Sequence, residues 1–166
     1  MWLDVIVEDV LTSRPAERYV VNDAKSPSGP IHVGSLRGVV LHDCLARALR
    51  EHGRAVRFLY GFDDYDPMDG RPVGVPEEFD RYLGLPLSEI PAPAGDAPNY
   101  ARHFGLAFAD VFHRLGAEPE VYWTSEMYKS GAFNDAIRTA LDRAEELIGI
   151  DREISGSRKA ERHPVQ

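Results

Sequence analysis

Hydrophobic residues along this chain follow two alternating patterns. Short continuous apolar runs predict strands, and they occupy residues 17–23 (ERYVVND), 55–62 (AVRFLYGF) and 120–124 (EVYWT). Apolar residues recur at helical spacing over residues 36–53, about 100–116, and 131–149. Buried strands that are each followed by a helix indicate a parallel sheet with right-handed crossovers. We therefore predict an α/β fold with a parallel sheet and helices on both faces.

Two stretches depart from this alternation. Residues 66–99 are rich in proline, glycine and aspartate and show no periodic pattern, so we predict an inserted irregular segment. Long connections of that kind are often functional. The last residues, 151–166, are polar and follow the final predicted helix. We interpret them as a tail that begins a truncated continuation of the fold.

Composition and charge narrow the class of protein. Apolar residues make up 43% of the chain and charged residues 28%, and the net charge is -8. No apolar run approaches the roughly 20 residues of a spanning helix, and the N-terminus carries acids where a signal peptide carries bases. We expect a cytoplasmic protein that does not bind nucleic acid by phosphate neutralisation alone. The single cysteine, Cys44, excludes an internal disulfide, and no cluster of Cys and His predicts a metal site.

The stretch VVNDAKSPSGPIHVGSLRGVVLHD, residues 20–43, carries the most informative chemistry. It lies where the first predicted strand meets a helix, and ligands of open parallel sheets bind beyond the carboxyl ends of the strands. Gly29 and Gly34 leave room for close approach to the backbone, and Ser35 is placed to cap the helix. The free amides of a helix start and the ring of His32 suit an anion. The stretch predicts a nucleoside triphosphate site, with a plain Pro/Gly connection as the alternative.

Four segments together resemble one known family. SPSGPIHVGSLRG resembles the HIGH signature loop of class I aminoacyl-tRNA synthetases, in the form found in class I lysyl-tRNA synthetases. GFDDYDPMDG, YARHF and TSEMYKSGAFNDAI resemble further segments of that family in the same order. The resemblance implies an incomplete Rossmann-like catalytic domain of the class I synthetase type. Residues 1–150 would be the N-terminal, ATP-binding half of that domain, and residues 151–166 the start of its continuation.

The resemblance also assigns residues to ATP. It implies that His32 contacts the phosphates and that Gly34 lies where adenine meets the backbone, with Ser28 and Gly29 in the same loop. Ser35 stands where the family usually has a second histidine or an asparagine, and it is assigned with His32 to catalysis, although its hydroxyl has a shorter reach. Mg²⁺ is implied with the nucleotide.

Lysine is the second ligand that the resemblance implies. Ala24 and Ser26 stand where the family has a glycine and a threonine that touch the amino acid. A desolvated ammonium needs a carboxylate partner, and Asp63, Asp64 and Glu126 follow predicted strands at the ligand-facing edge. A solvated acidic loop is the alternative interpretation of these acids. Which carboxylate holds the ammonium is left open.

The implied reaction is ATP-dependent activation of lysine for attachment to tRNA, which requires orientation of reactants more than a general base. A KMSKS-like second signature loop has no match in the chain, and SGSRKAERH is basic without that pattern. A truncated paralogue that binds nucleotide or amino acid without ligase activity remains the alternative, followed by a small nucleotidylyltransferase. We predict that charging of tRNA by this chain alone is weak or absent, and that an exposed sheet edge allows self-association.

Overall fold

The computed structural model describes residues 2–95 and 97–155. Its contacts divide the chain after Ser125 into two compact units. The predicted tail, residues 151–166, begins inside the last helix. Its residues 156–166, which include all of the basic run SGSRKAERH except its first serine, lie outside the described residues.

The helices and strands begin and end close to the predicted positions in the first unit. In chain order they are α1 (Trp2–Ser13), β1 (Arg18–Lys25), α2 (Leu36–Glu51), β2 (Ala55–Phe62), α3 (Tyr100–Arg114), β3 (Glu120–Trp123), α4 (Thr124–Lys129), α5 (Asn134–Asp142) and α6 (Ala144–Ser155). Short 3₁₀ helices occupy Val33–Ser35, Glu77–Tyr82 and Leu87–Glu89. Within the described residues, no helix is long and apolar enough to cross a membrane.

The strands form one parallel sheet of order β1-β2-β3, which confirms the predicted α/β fold. Asp23 and Tyr60 are paired in register and project to the same face. Asp23 lies against Gly38 of α2, and the ring of Tyr60 contacts that of Phe112 of α3, with centroids 5.3 Å apart. Both crossover helices therefore pack on one face, because right-handed crossovers between strands added in one direction lie on the same side.

The opposite face of the sheet is accessible to solvent. Val20 on β1 is 62% exposed, and the side chains of Arg57 and Glu120 on β2 and β3 are 64% and 58% exposed. Arg57 and Glu120 pair across the strands, with Nη2 and Oε2 2.6 Å apart. The two crossover helices thus leave this face uncovered, so the prediction that helices lie on both faces does not hold for these two helices.

The prediction of one helix over residues 131–149 is wrong. The structure has α5 and α6 instead, separated at Arg143, whose φ of -115° and ψ of 26° lie outside the helical region. Neither glycine nor proline occurs at residues 142–144, so no local sequence signal marks this break. Two helices were not predicted: α1, whose Val7 is buried against the core, and α4, which begins directly after β3.

The proline-rich segment, residues 66–99, is irregular as predicted but well packed. Its described residues contain two short 3₁₀ helices, and Pro67 and Pro86 form an isolated antiparallel bridge. Apolar side chains anchor it to the core, namely Met68, Val75, Phe79, Leu87 and Ile90, all buried. A loop that buries its own side chains in this way holds a defined shape.

Gly105 allows α3 to approach the sheet closely. A Cβ at this position would lie 2.6 Å from Cη2 of Trp123 and 3.3 Å from Cδ1 of Phe62. These rings are stacked, with centroids 4.5 Å apart, so neither is free to withdraw.

We expect Gly105→Ala to lower the free energy of unfolding by about 1 to 2 kcal/mol, because overpacking outweighs the gain in helix propensity. The measurement is urea denaturation. Gly70→Ala is the matched control, since its Cβ would meet nothing within 4 Å, and it should be neutral. Equal stability of the two variants would show that the helix can move away from Trp123.

Candidate functional site

The loop that follows β1 and the acids that follow β2 meet at the carboxyl edge of the sheet. We call residues 26–35 the signature loop. The amide of Asp63 donates to the carbonyl of Lys25 over 3.1 Å, which continues the ladder between β1 and β2 by one bond. Parallel pairing thus brings together the two sequence segments that were predicted to hold ligands.

His32 caps the 3₁₀ helix that precedes α2. Its Nδ1 accepts the amide hydrogen of Gly34 over 3.1 Å, and its carbonyl accepts from the amide of Ser35 over 3.0 Å. Because Nδ1 is an acceptor, a neutral His32 ring carries its hydrogen on Nε2. The side chain is exposed, so the geometry presents an Nε2–H donor to solvent or to a ligand.

Gly34 is required by the His32 ring. A Cβ at position 34 would lie 2.8 Å from Cε1 and 2.9 Å from Nδ1 of that ring. Any side chain would displace the imidazole from its capping position. Glycine at position 34 therefore makes room for the ring of His32, a contact that the sequence pattern did not reveal.

The prediction that Ser35 caps α2 is wrong. Ser35 has helical dihedral angles, φ -71° and ψ -23°, and its side chain makes no capping hydrogen bond. The 3₁₀ helix Val33–Ser35 directly precedes α2, so helical backbone already begins before Ser35. The capping residue with an extended backbone is therefore His32, at φ -80° and ψ 158°. The assignment of Ser35 to catalysis stays a prediction.

Ser28 and Gly29 contact the proline-rich segment and the start of α3. The carbonyl of Ser28 accepts from the hydroxyl of Tyr100 over 2.8 Å. Gly29 is buried, and a Cβ there would lie 2.5 Å from Cγ of Pro72. Glycine is needed at this position because the proline ring occupies the space of a side chain.

The two positions predicted to touch lysine lie at the end of β1. Ala24 is exposed and pairs in register with Gly61, and its amide donates to Oδ1 of Asp23 over 3.0 Å. The hydroxyl of Ser26 donates to Oδ2 of Asp66. Their contact with an amino acid stays a prediction, and Asp66 is a carboxylate that the sequence argument did not single out.

Asp64 is an internal anchor. It is 0% exposed, its Oδ1 accepts from the amide of Ser125 over 2.7 Å, and its Oδ2 accepts from the hydroxyl of Ser125 over 2.6 Å. The hydroxyl of Thr124 lies 3.3 Å from Oδ1. Both oxygens are thus engaged at the start of α4, where a negative charge also complements the helix dipole. The role predicted for Asp64 as a lysine contact stays a prediction.

Asp63 is a partly buried carboxylate close to other negative charges. Burial raises the pKa of Asp63, and the negative charges of Asp66 and Asp64 raise it further. Burial also raises the pKa of Tyr60, with smaller contributions from the charges of Asp23 and Asp63. A partly desolvated carboxylate among like charges favours binding of a cation or a proton.

We expect Asp63→Asn to raise the melting temperature at pH 7 and to leave it unchanged near pH 3.5. A carboxyl whose pKa is higher in the folded state binds its proton more tightly there, so it costs stability as pH rises above the unfolded value of 3.8. The neutral amide avoids that cost. The measurement is thermal unfolding between pH 3.5 and 7, with Asp69→Asn on an exposed residue as the control. A variant that is less stable than the parent at pH 7 would contradict this sign.

Glu126 lies on α4 and is the first residue of the second unit. Its predicted contact with lysine stays a prediction. Across the described ranges, 2–95 and 97–155, no group of three or more His, Cys, Asp or Glu side chains is arranged to hold a metal ion.

Comparison with known proteins places these residues in a family context. The family model described as tRNA synthetases class I (K) matches residues 1–165. Lysine--tRNA ligase 1 of Methanosarcina acetivorans is 42% identical over 160 residues, which cover 96% of this chain and 30% of that protein. Lysine--tRNA ligase of Methanococcus maripaludis is 39% identical over 141 residues, 85% of this chain and 26% of that protein.

A third relative gives the same extent of similarity. Lysine--tRNA ligase of Pyrococcus horikoshii is 37% identical over 150 residues, which cover 90% of this chain and 29% of that protein. The chain spans less than a third of the length of each of these relatives.

Proposed function

Because the chain belongs to the class I (K) tRNA synthetase family, we propose that it is the part of a lysine–tRNA ligase that binds ATP and lysine for activation. The observation that carries the proposal is the match of residues 1–165 to the family model. The signature loop supports it, since it lies at the carboxyl edge of a parallel sheet and its His32 caps the helix that follows. Relatives that carry the name lysine–tRNA ligase support the choice of amino acid.

In the proposed reaction, a carboxylate oxygen of lysine attacks the α-phosphorus of ATP. The bond to the β-phosphate oxygen breaks, pyrophosphate leaves, and a lysyl adenylate forms. A ribose hydroxyl at the end of tRNA then attacks the activated carbonyl and releases AMP. The carboxylate is already a nucleophile at neutral pH, so the protein contributes by orienting both reactants and by stabilising charge on the phosphates.

The donor chemistry of the signature loop fits a polyphosphate. His32 presents an Nε2–H donor because Nδ1 is engaged by Gly34, and the ring is exposed. We propose that this donor contacts phosphate oxygens and that Ser28, Gly29, Gly34 and Ser35 line the nucleotide. Mg²⁺ would bind together with the nucleotide and neutralise phosphate charge.

The acids after β2 fit the ammonium of lysine. Burial and neighbouring negative charges disfavour the ionised form of the Asp63 carboxyl. A bound cation would stabilise that ionised form. We propose that Asp63 faces the lysine ammonium while Asp64 fixes the turn that positions it, with Ala24 and Ser26 completing this part of the lysine site. The contact of Glu126 with lysine stays a prediction that the family resemblance implies. Saturating lysine should then raise the melting temperature of the parent chain and not that of Asp63→Asn.

Pyrophosphate exchange tests the proposal. The 166-residue chain is incubated with ATP, Mg²⁺, lysine and labelled pyrophosphate, and incorporation of label into ATP is measured with lysine, with arginine and without amino acid. Exchange that depends on lysine supports the proposal. Binding of ATP and lysine by calorimetry without any exchange would favour the alternative of a binding module without ligase activity.

Further partners follow from the same proposal. We propose that tRNA is the acceptor in the full reaction and that the cytoplasm is the site of action. The net charge of -8 opposes tRNA approach, so we expect charging of tRNA with labelled lysine by this chain alone to be weak or absent. In the sheet of the described residues, β1 has one neighbouring strand, and self-association through its outer edge stays a prediction.

A further inference from the structure

The signature loop is held at three places, two in the proline-rich segment and one at Tyr100, the first residue of α3. The hydroxyl of Ser26 donates to Asp66, Gly29 lies against Pro72, and the carbonyl of Ser28 accepts from the hydroxyl of Tyr100. These contacts join residues that are 40 and 72 positions apart in the chain. A long segment that packs through buried side chains therefore determines where the loop lies.

Tyr100 is the buried member of this set. It is 0% exposed, and its ring packs between those of Phe79 and Phe104, at centroid distances of 5.9 and 4.9 Å. Its amide donates to the carbonyl of Ile90 over 2.8 Å, which fixes the start of α3. Burial raises the pKa of Tyr100 to about 12, so its hydroxyl keeps its proton and remains a donor at neutral pH.

The backbone of the signature loop is stiff, so the hydrogen bond at Ser28 also affects the position of His32. Pro27 is fully buried and Pro30 follows two residues after Ser28, and each proline fixes its own φ near -65°. A carbonyl held between two such residues constrains the direction of the chain toward His32. Loss of the Tyr100 hydroxyl would release the carbonyl of Ser28 and allow the whole loop to shift.

We propose that Tyr100 is a positioning residue for the nucleotide, which acts through the carbonyl of Ser28 to hold the signature loop where His32 and the loop amides receive ATP. This inference rests on the proposed function. Tyr100 itself has no part in the chemistry, since its hydroxyl is buried against the loop on the protein side.

Tyr100→Phe tests the inference because it removes the hydroxyl and keeps the packed ring. Without nucleotide, we expect faster amide hydrogen exchange in peptides that cover residues 26–35 and unchanged exchange in β2. With nucleotide, we expect the dissociation constant for ATP, measured by calorimetry, to rise roughly 3- to 10-fold, as loss of one hydrogen bond implies. The dissociation constant for lysine should change less than that for ATP.

Tyr82→Phe is the matched control. Tyr82 lies in the proline-rich segment and its ring packs against Phe79 with centroids 5.4 Å apart, but its hydroxyl accepts from Arg81 rather than contacting the loop. It should change neither loop exchange nor ATP affinity. A double variant with His32→Ala adds a second measurement: if Tyr100 acts through His32, the combined loss of affinity is smaller than the sum of the two free-energy changes.

The outcomes separate the two hypotheses. Unchanged loop exchange in Tyr100→Phe, or faster exchange with an unchanged dissociation constant for ATP, would overturn the role of Tyr100 and leave the proposed function standing. A parent chain that binds no ATP would overturn the proposed function and the nucleotide role of Tyr100 together. Additive losses in the double variant would show that Tyr100 does not act through His32.

Discussion

His32→Ala should slow lysine-dependent pyrophosphate exchange by roughly 10- to 150-fold, which corresponds to the loss of about 1.5 to 3 kcal/mol from one charge-assisted hydrogen bond. The physical reason is that the exposed ring presents Nε2–H as a donor for phosphate while Nδ1 is engaged by the amide of Gly34. Initial rates of exchange at saturating and limiting ATP give the measurement. A loss that is larger at limiting ATP would indicate an effect on binding as well as on the transition state.

His32→Asn separates the two tasks of this side chain. Asparagine is a good capping residue and can still accept from the amide of Gly34, but its amide nitrogen has a shorter reach than Nε2. We expect it to keep the stability of the parent chain and to lose most of the exchange activity. His52→Ala is the control, since His52 ends α2 with Nδ1 donating to the carbonyl of Ala48, and it should leave exchange unchanged. Full exchange activity in His32→Ala would refute the phosphate role.

Asp64→Ala should lower the free energy of unfolding by about 3 to 5 kcal/mol. The substitution removes the carboxylate that accepts from both the amide and the hydroxyl of Ser125, and each bond to a buried charged group contributes about 1.5 to 3 kcal/mol. It also leaves the amide of Ser125 without a partner at the start of a helix. Urea denaturation followed by circular dichroism is the measurement.

Two further variants test the cause of this loss. Asp64→Asn keeps an oxygen that can accept from the amide of Ser125, so its loss should be smaller than that of the alanine variant. Asp69→Ala removes an exposed carboxylate of the same region and should change stability by less than about 0.5 kcal/mol. If Asp64→Ala unfolded at the same urea concentration as Asp69→Ala, the buried bonds would not anchor β3 to β2.

The two predictions give His32 and Asp64 different roles at the carboxyl edge of the sheet: His32 binds ligand and Asp64 stabilises the fold. His32 is exposed and has a donor to spare, whereas Asp64 is buried with both oxygens engaged. Asp63 lies between these cases, since it is half-buried and its pKa is raised. A ligand site needs polar groups whose charge or hydrogen-bonding capacity is still available. A structural anchor instead uses groups that are already fully hydrogen-bonded within the protein.

The sequence by itself determined the strands, the main helices and the place of the signature loop. Strand β2 begins and ends where the apolar run does, and α2 and α3 begin at the predicted residues 36 and 100. These signals are local: a run of buried residues, a helical period and a glycine near a helix end depend only on near neighbours. The resemblance carried by residues 26–38 was equally local, because its residue types and spacing are visible in the chain itself.

Only the tertiary structure decided which polar groups are engaged and which are available. Asp63 and Asp64 are adjacent in sequence and equal in chemistry, yet one lies among like charges and the other is satisfied by Ser125, 61 positions away. The hydrogen bond from Tyr100 to the loop joins residues 72 positions apart. Contacts at such separations depend on how the sheet and the proline-rich segment pack, and no periodicity or local spacing encodes them.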